Sequence, residues 1–144
     1  MKKYRKAVFI VTYVKEKNKI FYLILKRKLH WKGWEFPKGK IEKFEMKRMA
    51  VKREVKEETG LQILKIKKFN VHGKYKYKKM LKDRPGIIGQ TYHLYAVEVK
   101  KGKVILDKKE HSDYKWLESE KAIKKLTWNN QKKCLKIVDK EIEK

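Results

Sequence analysis

Two nearly unbroken apolar runs open the chain, Ala7-Val-Phe-Ile-Val-Thr-Tyr-Val14 and Ile20-Phe-Tyr-Leu-Ile-Leu25. Both are rich in β-branched and aromatic residues. The polar stretch Lys15-Glu-Lys-Asn-Lys19 separates them, so the pattern predicts a strand, a turn and a second strand paired as a hairpin. Residues 29–38 carry Trp31, Gly33, Trp34 and Pro37 and predict a loop. From about Phe44 to Thr59 the chain lacks Gly and Pro, which predicts a helix that Gly60 ends. On that helix Val51 and Val55 fall on one flank, Met46 and Ala50 on the other, with glutamates between them.

Further along, residues 61–71 are apolar and β-compatible. Residues 72–89, with Asp83-Arg-Pro-Gly86, predict a long basic loop. Residues 91–99 predict a strand, and 104–106 and 114–117 two short ones. Residues 119–126 and 128–142 predict two helices, with Thr127 as the cap of the second. Trp128, Leu135, Val138 and Ile142 recur near helical spacing. This order gives an α+β class, helices packed on a mixed β-sheet, in one domain spanning 1–144.

Composition narrows the picture. A hydrophobic fraction of 41%, four Trp and eight Tyr argue for a packed core. No apolar run approaches the roughly 18 residues that cross a bilayer. Met1-Lys-Lys-Tyr-Arg-Lys6 is basic like the start of a signal peptide, but the apolar run after it is brief and lacks a small-residue cleavage site. The expectation is a cytoplasmic protein without a membrane partner. Cys134 is the single cysteine, which excludes an intramolecular disulfide and a cysteine-based zinc site. Forty-two Lys and Arg against seventeen Asp and Glu give a formal net charge of +25. That charge suits a polyanion such as a nucleotide or RNA. The lysines are scattered and not gathered in one patch, so they raise non-specific affinity for nucleic acid whatever the function. Nothing in the pattern calls for an obligate protein partner.

Against this background Glu54, Glu57 and Glu58 stand out. On a helix of 3.6 residues per turn, positions i, i+3 and i+4 share a face. Like charges at that spacing repel by about 0.2–0.5 kcal/mol per pair. A divalent cation would reverse the sign, and hard oxygen ligands favour Mg²⁺ or Mn²⁺ over zinc. By themselves, three glutamates also fit a solvated acidic face.

The wider spacing is Gly39, five residues, Glu45, seven residues, Arg53-Glu54-Val55, one residue, Glu57-Glu58, one residue, Gly60-Leu61. This resembles the Nudix box at every fixed position. Fixed Gly, Glu and Arg positions at roughly 6–7% usage each make a chance match on the order of 10⁻⁸ per start site. The resemblance implies the Nudix fold, a mixed sheet between helices, and Mg²⁺- or Mn²⁺-dependent hydrolysis of a pyrophosphate in a nucleoside diphosphate derivative. It implies metal ligands at Glu54, Glu57, Glu58 and the Gly39 carbonyl, and supporting roles for Arg53, which orients glutamates, and Glu45, which anchors the loop before the helix.

The box defines chemistry and not substrate. Trp34-Glu-Phe-Pro-Lys-Gly39 carries Pro-Lys-Gly where many Nudix enzymes carry Pro-Gly-Gly. In this it resembles the asymmetric diadenosine tetraphosphate hydrolases, the diphosphoinositol polyphosphate phosphatases and the mRNA-decapping Nudix domain. Lys38 would set a cation beside a long phosphate chain. Glu110-His-Ser-Asp-Tyr-Lys-Trp-Leu117, a helix, and Leu126-Thr-Trp-Asn-Asn-Gln131 resemble the end of the tetraphosphate hydrolases. That likeness implies a further metal ligand at Glu110 and a substrate role for His111, with a structural hydrogen bond as the alternative for His111. Tyr75 and Tyr77 in the basic loop, or Trp31 and Trp34, would stack on adenine, a contact of about 1–3 kcal/mol. The expected reaction is diadenosine tetraphosphate to ATP and AMP. The alternative is removal of pyrophosphate or a cap from an RNA 5′ end, which the charge and the Trp34–Lys40 segment favour.

Overall fold

The structure, a computed structural model, describes residues 3–142. Met1 and Lys2 of the basic N-terminal segment, and Glu143 and Lys144, lie outside them. Ten elements follow in order: β1 (Lys3–Glu16), β2 (Lys19–Arg27), β3 (Gly33–Glu35), β4 (Lys38–Lys40), α1 (Lys47–Thr59), β5 (Ile63–Lys76), β6 (Ile87–Val99), β7 (His111–Leu117), α2 (Ser119–Lys125) and α3 (Asn129–Glu141).

The apolar run of β1 is continuous because helices cover both faces of the sheet. Phe9, Val11 and Tyr13 pack on one face with Ala122, Leu126, Cys134, Leu135 and Val138 of the C-terminal region. Val8, Ile10 and Val14 pack on the other with Ala50, Val51 and Val55 of α1. The expected sandwich of helices around a mixed sheet is present. β1 runs parallel to β6 and antiparallel to β2, and β5 pairs with β6 at the edge.

β1 and β2 pair only near their hairpin, from Tyr13↔Tyr22 to Glu16↔Lys19. Beyond it they part. β4 takes the freed edge of β1 at Ala7 to Phe9, and β3 pairs with β2 at Leu25 to Arg27. The loop expected at 29–38 is therefore partly two short strands held in this split. Their three-residue length leaves too little periodicity to read from sequence.

Other expectations shift. β5 continues to Lys76 and β6 begins at Ile87, so the basic loop shrinks to residues 77–86. Along 71–76 inner residues Val71, Gly73 and Tyr75 alternate with exposed His72, Lys74 and Lys76, a period of two obscured by glycine and lysine. Residues 104–106 are not a strand. Ile105 instead donates its N–H to the Thr59 carbonyl at 2.8 Å. Thr127 does not cap α3. Trp128 holds that position, and Thr127 Oγ1 accepts the Trp34 N–H at 2.8 Å.

Candidate active site

α1 begins three residues later than expected. Phe44 has φ of 64°, outside the helical region, and Glu45 N–H closes a turn onto the Glu42 carbonyl. The helix stops as expected. Gly60 adopts φ of 70° and donates to the Lys56 carbonyl, and Thr59 Oγ1 donates to the Val55 carbonyl at 2.6 Å. Met46 is exposed, so the acidic face is not framed by two apolar flanks. The buried stripe is Ala50, Val51, Glu54, Val55 and Glu58, which carries two carboxylates into the interior with the valines.

Arg53 organises this edge. Its Nε and Nη2 each lie 2.8 Å from a Glu45 oxygen, and Nη1 donates to Glu54 at 2.6 Å and to Glu57 at 3.3 Å. Nη2 also donates to the Lys40 carbonyl at 2.7 Å, and Glu45 accepts the Glu42 N–H at 2.9 Å. One guanidinium thus ties α1 to β4 and to the loop between them. The hydrogen bonds from Arg53 hold the Glu45 carboxyl down at about 2. Gly39 explains itself by space: a Cβ there would overlap the Glu54 carboxyl.

Glu58 sits deeper. Its Oε1 accepts the Lys38 N–H at 3.0 Å, and its Oε2 is buried without a hydrogen-bond partner, 3.5 Å from His111 Nδ1. Burial, then the charges of Glu35, Glu54 and Glu110, push Glu58 well above the ordinary carboxylate range. Burial is also the main cause that raises Glu54, to about 7, against the pull of Arg53. Glu57 is about half exposed at the rim.

Behind Glu58 lies a buried network that sequence reading missed. Glu35 is fully buried and meets His111 Nε2 at 2.7 Å, Arg27 Nη1 at 3.2 Å and Lys38 Nζ at 3.6 Å. Burial alone would raise its pKa, but Lys38, His111 and Arg27 together outweigh it and hold Glu35 at about 2. An ionised Glu35 accepts the His111 Nε2 proton, which leaves Nδ1 facing Glu58. Arg27 also reaches Glu110 at 3.4 Å and donates Nε to the Leu29 carbonyl at 2.9 Å. A cue was present in two charged residues, Arg27 ending an apolar strand and Glu35 between Trp34 and Phe36. Sequence cannot say that β3 pairs beside β2 and points both inward.

Two cavities flank this network. The first, about 290 Å³, is acidic and lined by Glu42, Glu54, Glu57, Glu58, Asp107 and Glu110, with Arg5, Lys40 and Arg53. Potential ligand atoms of Glu58, Glu110 and His111 lie within 4.8 Å of one another. The free buried oxygen of Glu58 and the surrounding carboxylates suit a hard divalent cation, which Glu54, Glu57, Glu58 and Glu110 would hold. Bound there, such an ion would neutralise a pyrophosphate and lower the pKa of an attacking water. The second cavity, about 660 Å³, is lined by Trp31, Tyr75, Tyr77 and Trp128, the cations Arg27, Lys38, Lys76, Lys78, Lys79 and Arg84, and Asn129, Asn130 and Gln131. Arg27 on its wall touches Glu110 on the wall of the first, so the two adjoin.

The expected site residues divide accordingly. Glu54, Glu57, Glu58 and Glu110 gather in the acidic cavity with Arg53 beside them. Lys38, Tyr75 and Tyr77 gather in the aromatic one. Two expected substrate contacts line neither cavity. His111 is fully buried with both ring nitrogens turned to glutamates, the arrangement of the structural hydrogen bond that was its alternative. Trp34 lines neither cavity. Its ring packs on the core below Lys115 and Lys125, because alternation along β3 sends Glu35 inward to the site and Trp34 the other way.

A split sheet with a Gly-anchored glutamate helix across it is the Nudix arrangement. The NUDIX domain model matches residues 3–136, and the chain belongs to the Nudix family. It is a hydrolase acting on nucleotide pyrophosphates. It is 32% identical over 109 residues to the 8-oxo-dGTP diphosphatase of Buchnera aphidicola subsp. Schizaphis graminum (strain Sg), covering 75% of this chain and 74% of that protein. The C. elegans Ap4A hydrolase in a binary complex is 28% identical with a TM-score of 0.70, covering 94% of this chain and 96% of the other. The E. coli dihydroneopterin triphosphate pyrophosphohydrolase shares the fold with a TM-score of 0.76 at 20% identity, covering 94% and 97%.

Proposed function

We propose that this Nudix hydrolase cleaves a dinucleoside polyphosphate, diadenosine tetraphosphate to ATP and AMP, with Mg²⁺ in the acidic cavity. One observation carries the reading: the acidic cavity adjoins a larger one that combines aromatic faces with a row of cations. Aromatic rings suit a base, and Lys38, Lys76, Lys78, Lys79 and Arg84 suit a phosphate chain longer than a diphosphate. Likeness to the C. elegans Ap4A hydrolase over nearly the whole chain supports it.

A second reading, a damaged nucleoside triphosphate, is favoured by the likeness to the 8-oxo-dGTP diphosphatase. It has a structural argument as well. The Asn130 Oδ1 on the cavity wall is buried without a partner, and a carboxamide can pair with a purine edge. Adenine and an oxidised guanine both offer such an edge. The deciding experiment is a panel of diadenosine tetraphosphate, 8-oxo-dGTP, ADP-ribose and 5′-triphosphorylated RNA with Mg²⁺, with products analysed in ¹⁸O water. The dinucleotide should give the highest kcat/KM and yield ATP with AMP. A higher value for 8-oxo-dGTP, with pyrophosphate released, would replace the first reading with the second.

A further inference from the structure

Arg5 is a charged group that the site as described leaves unused. It stands on β1 opposite Gln90 of β6 and lines the acidic cavity. The other cations there are occupied. Arg53 holds Glu45, Glu54 and Glu57, and Lys40 lies 4.0 Å from Glu42. Among the acids there, Glu110 is taken by Arg27 at 3.4 Å. Arg5 makes no ion pair or side-chain hydrogen bond among the described residues, and its Nε is buried without a partner. A buried guanidinium nitrogen left idle is costly unless a ligand satisfies it.

Arg84 approaches the same seam from the aromatic cavity. Its Nη1 donates to the Tyr77 hydroxyl at 2.7 Å, and that hydroxyl donates to Gln90 Oε1 at 3.0 Å. Gln90 is the strand partner of Arg5, so a short chain of contacts links the two arginines. Burial first, and then the charge of Arg84, lower the pKa of Arg5 against the pull of Tyr77, Glu54 and Glu110. Two guanidiniums whose charges oppose each other, joined by one chain of contacts, form an arrangement that an anion between them would relieve.

We propose that Arg5 is the anion anchor of this enzyme, binding non-bridging oxygens of the substrate's phosphate chain where it passes from the acidic cavity into the aromatic one. The proposal rests on the hydrolase reading of the site and adds to it the group that grips the chain. The competing role is charge balance, in which Arg5 merely offsets the surrounding carboxylates. The two roles differ in what Arg5 loss does. Removing a balancing cation tightens a divalent metal and leaves phosphate affinity alone. Removing an anchor weakens phosphate and does not weaken the metal.

The test uses the full chain and two probes measured by calorimetry: Mn²⁺ alone, and methylenediphosphonate with saturating Mg²⁺. Arg5→Ala should weaken the diphosphonate at least about tenfold, the scale of a charge-assisted hydrogen bond, with Mn²⁺ affinity equal or higher. Arg5→Lys should recover only part of that loss, because an ammonium cannot make two parallel bonds. If the alanine variant does not fold, the lysine variant decides by the same comparison. Diphosphonate affinity equal to the unmodified protein, or no diphosphonate binding by the unmodified protein, overturns the proposal. The probe carries no base and only two phosphorus atoms. An error in the choice of nucleotide would appear in the substrate panel and leave this measurement standing.

Discussion

At the scale of single residues, Glu58 and Glu54 are kept above the ordinary carboxylate range by burial, while Glu35 and Glu45 are kept below it by cations and hydrogen bonds. Glu58→Gln keeps the shape and the acceptor for the Lys38 N–H but removes the charge. It should lower kcat by at least ~10²-fold, the scale of losing one transition-state stabiliser. Because ionised Glu58 is costly to bury, the same variant should melt higher than the unmodified protein in EDTA at pH 8. Near-normal turnover would remove Glu58 from the catalytic set. His111→Ala should act oppositely on stability. It strips Glu35 of its closest donor in a dry site and should cost about 1–3 kcal/mol in urea unfolding. An unchanged midpoint would mean that Arg27 and Lys38 satisfy Glu35 without it.

At the scale of elements, α1 and β4 are fastened to each other three times, by Arg53 reaching the Lys40 carbonyl, by Glu58 accepting the Lys38 N–H and by Glu54 lying on Gly39. Gly39→Ala should therefore act on the helix across the gap. Its methyl displaces the Glu54 carboxyl and breaks the contact with Arg53, so activity and Mn²⁺ affinity should fall together while circular dichroism is retained. Full activity would show that Glu54 has room to move. Lys38 has a related ambiguity. Its ammonium already faces Glu35, so Lys38→Ala loses a phosphate contact and also exposes a weakness in the core of the site. Comparing diadenosine tetraphosphate with ADP-ribose in that variant separates the two effects. A loss confined to the tetraphosphate marks a chain contact, and equal losses mark the Glu35 defect.

At the scale of the whole molecule, four shifted carboxylates of the site oppose one another in pH. Glu35 and Glu45, held near 2 against an ordinary 4.5, contribute stability above pH 4.5 that is lost as pH falls toward 2. Glu54, raised from 4.5 to about 7, and Glu58, pushed well above 4.5 by burial, contribute stability below pH 4.5 that is lost as pH rises through their folded values. In EDTA the contribution of these groups peaks near pH 4.5 and declines toward pH 8, and Mg²⁺ should abolish the decline by binding the ionised forms. A melting temperature in EDTA that rises steadily from pH 5 to 8 would contradict this assignment. The net charge of +25 acts on another observable. Scattered lysines should give weak RNA binding that fades steeply with salt, while kcat/KM on the dinucleotide changes little between the same salt concentrations. RNA preferred at near-physiological salt would make residues 77–86 the first place to seek an RNA path.

How much of this the chain announces depends on the range of the interaction. Local signals carried far. The paired apolar runs, the glutamate helix, the Gly60 stop and the box spacing are all set within a few turns or strands, where periodicity and backbone preference act directly. They determined the fold class, the carboxylate face and the family chemistry. Tertiary structure decided what depends on residues distant in the chain. Glu35 and His111 are 76 positions apart, and their hydrogen bond exists only because β3 and β7 lie on opposite edges of β2. The same packing buried His111, turned Trp34 away from the cavities and left Arg5 without an ion pair or side-chain hydrogen bond among the described residues. Sequence lists which charges a chain carries. Whether each is desolvated, and beside which other charge, is fixed when the sheet splits and the strands take their edges, because electrostatic energy depends on separation and on exclusion of water.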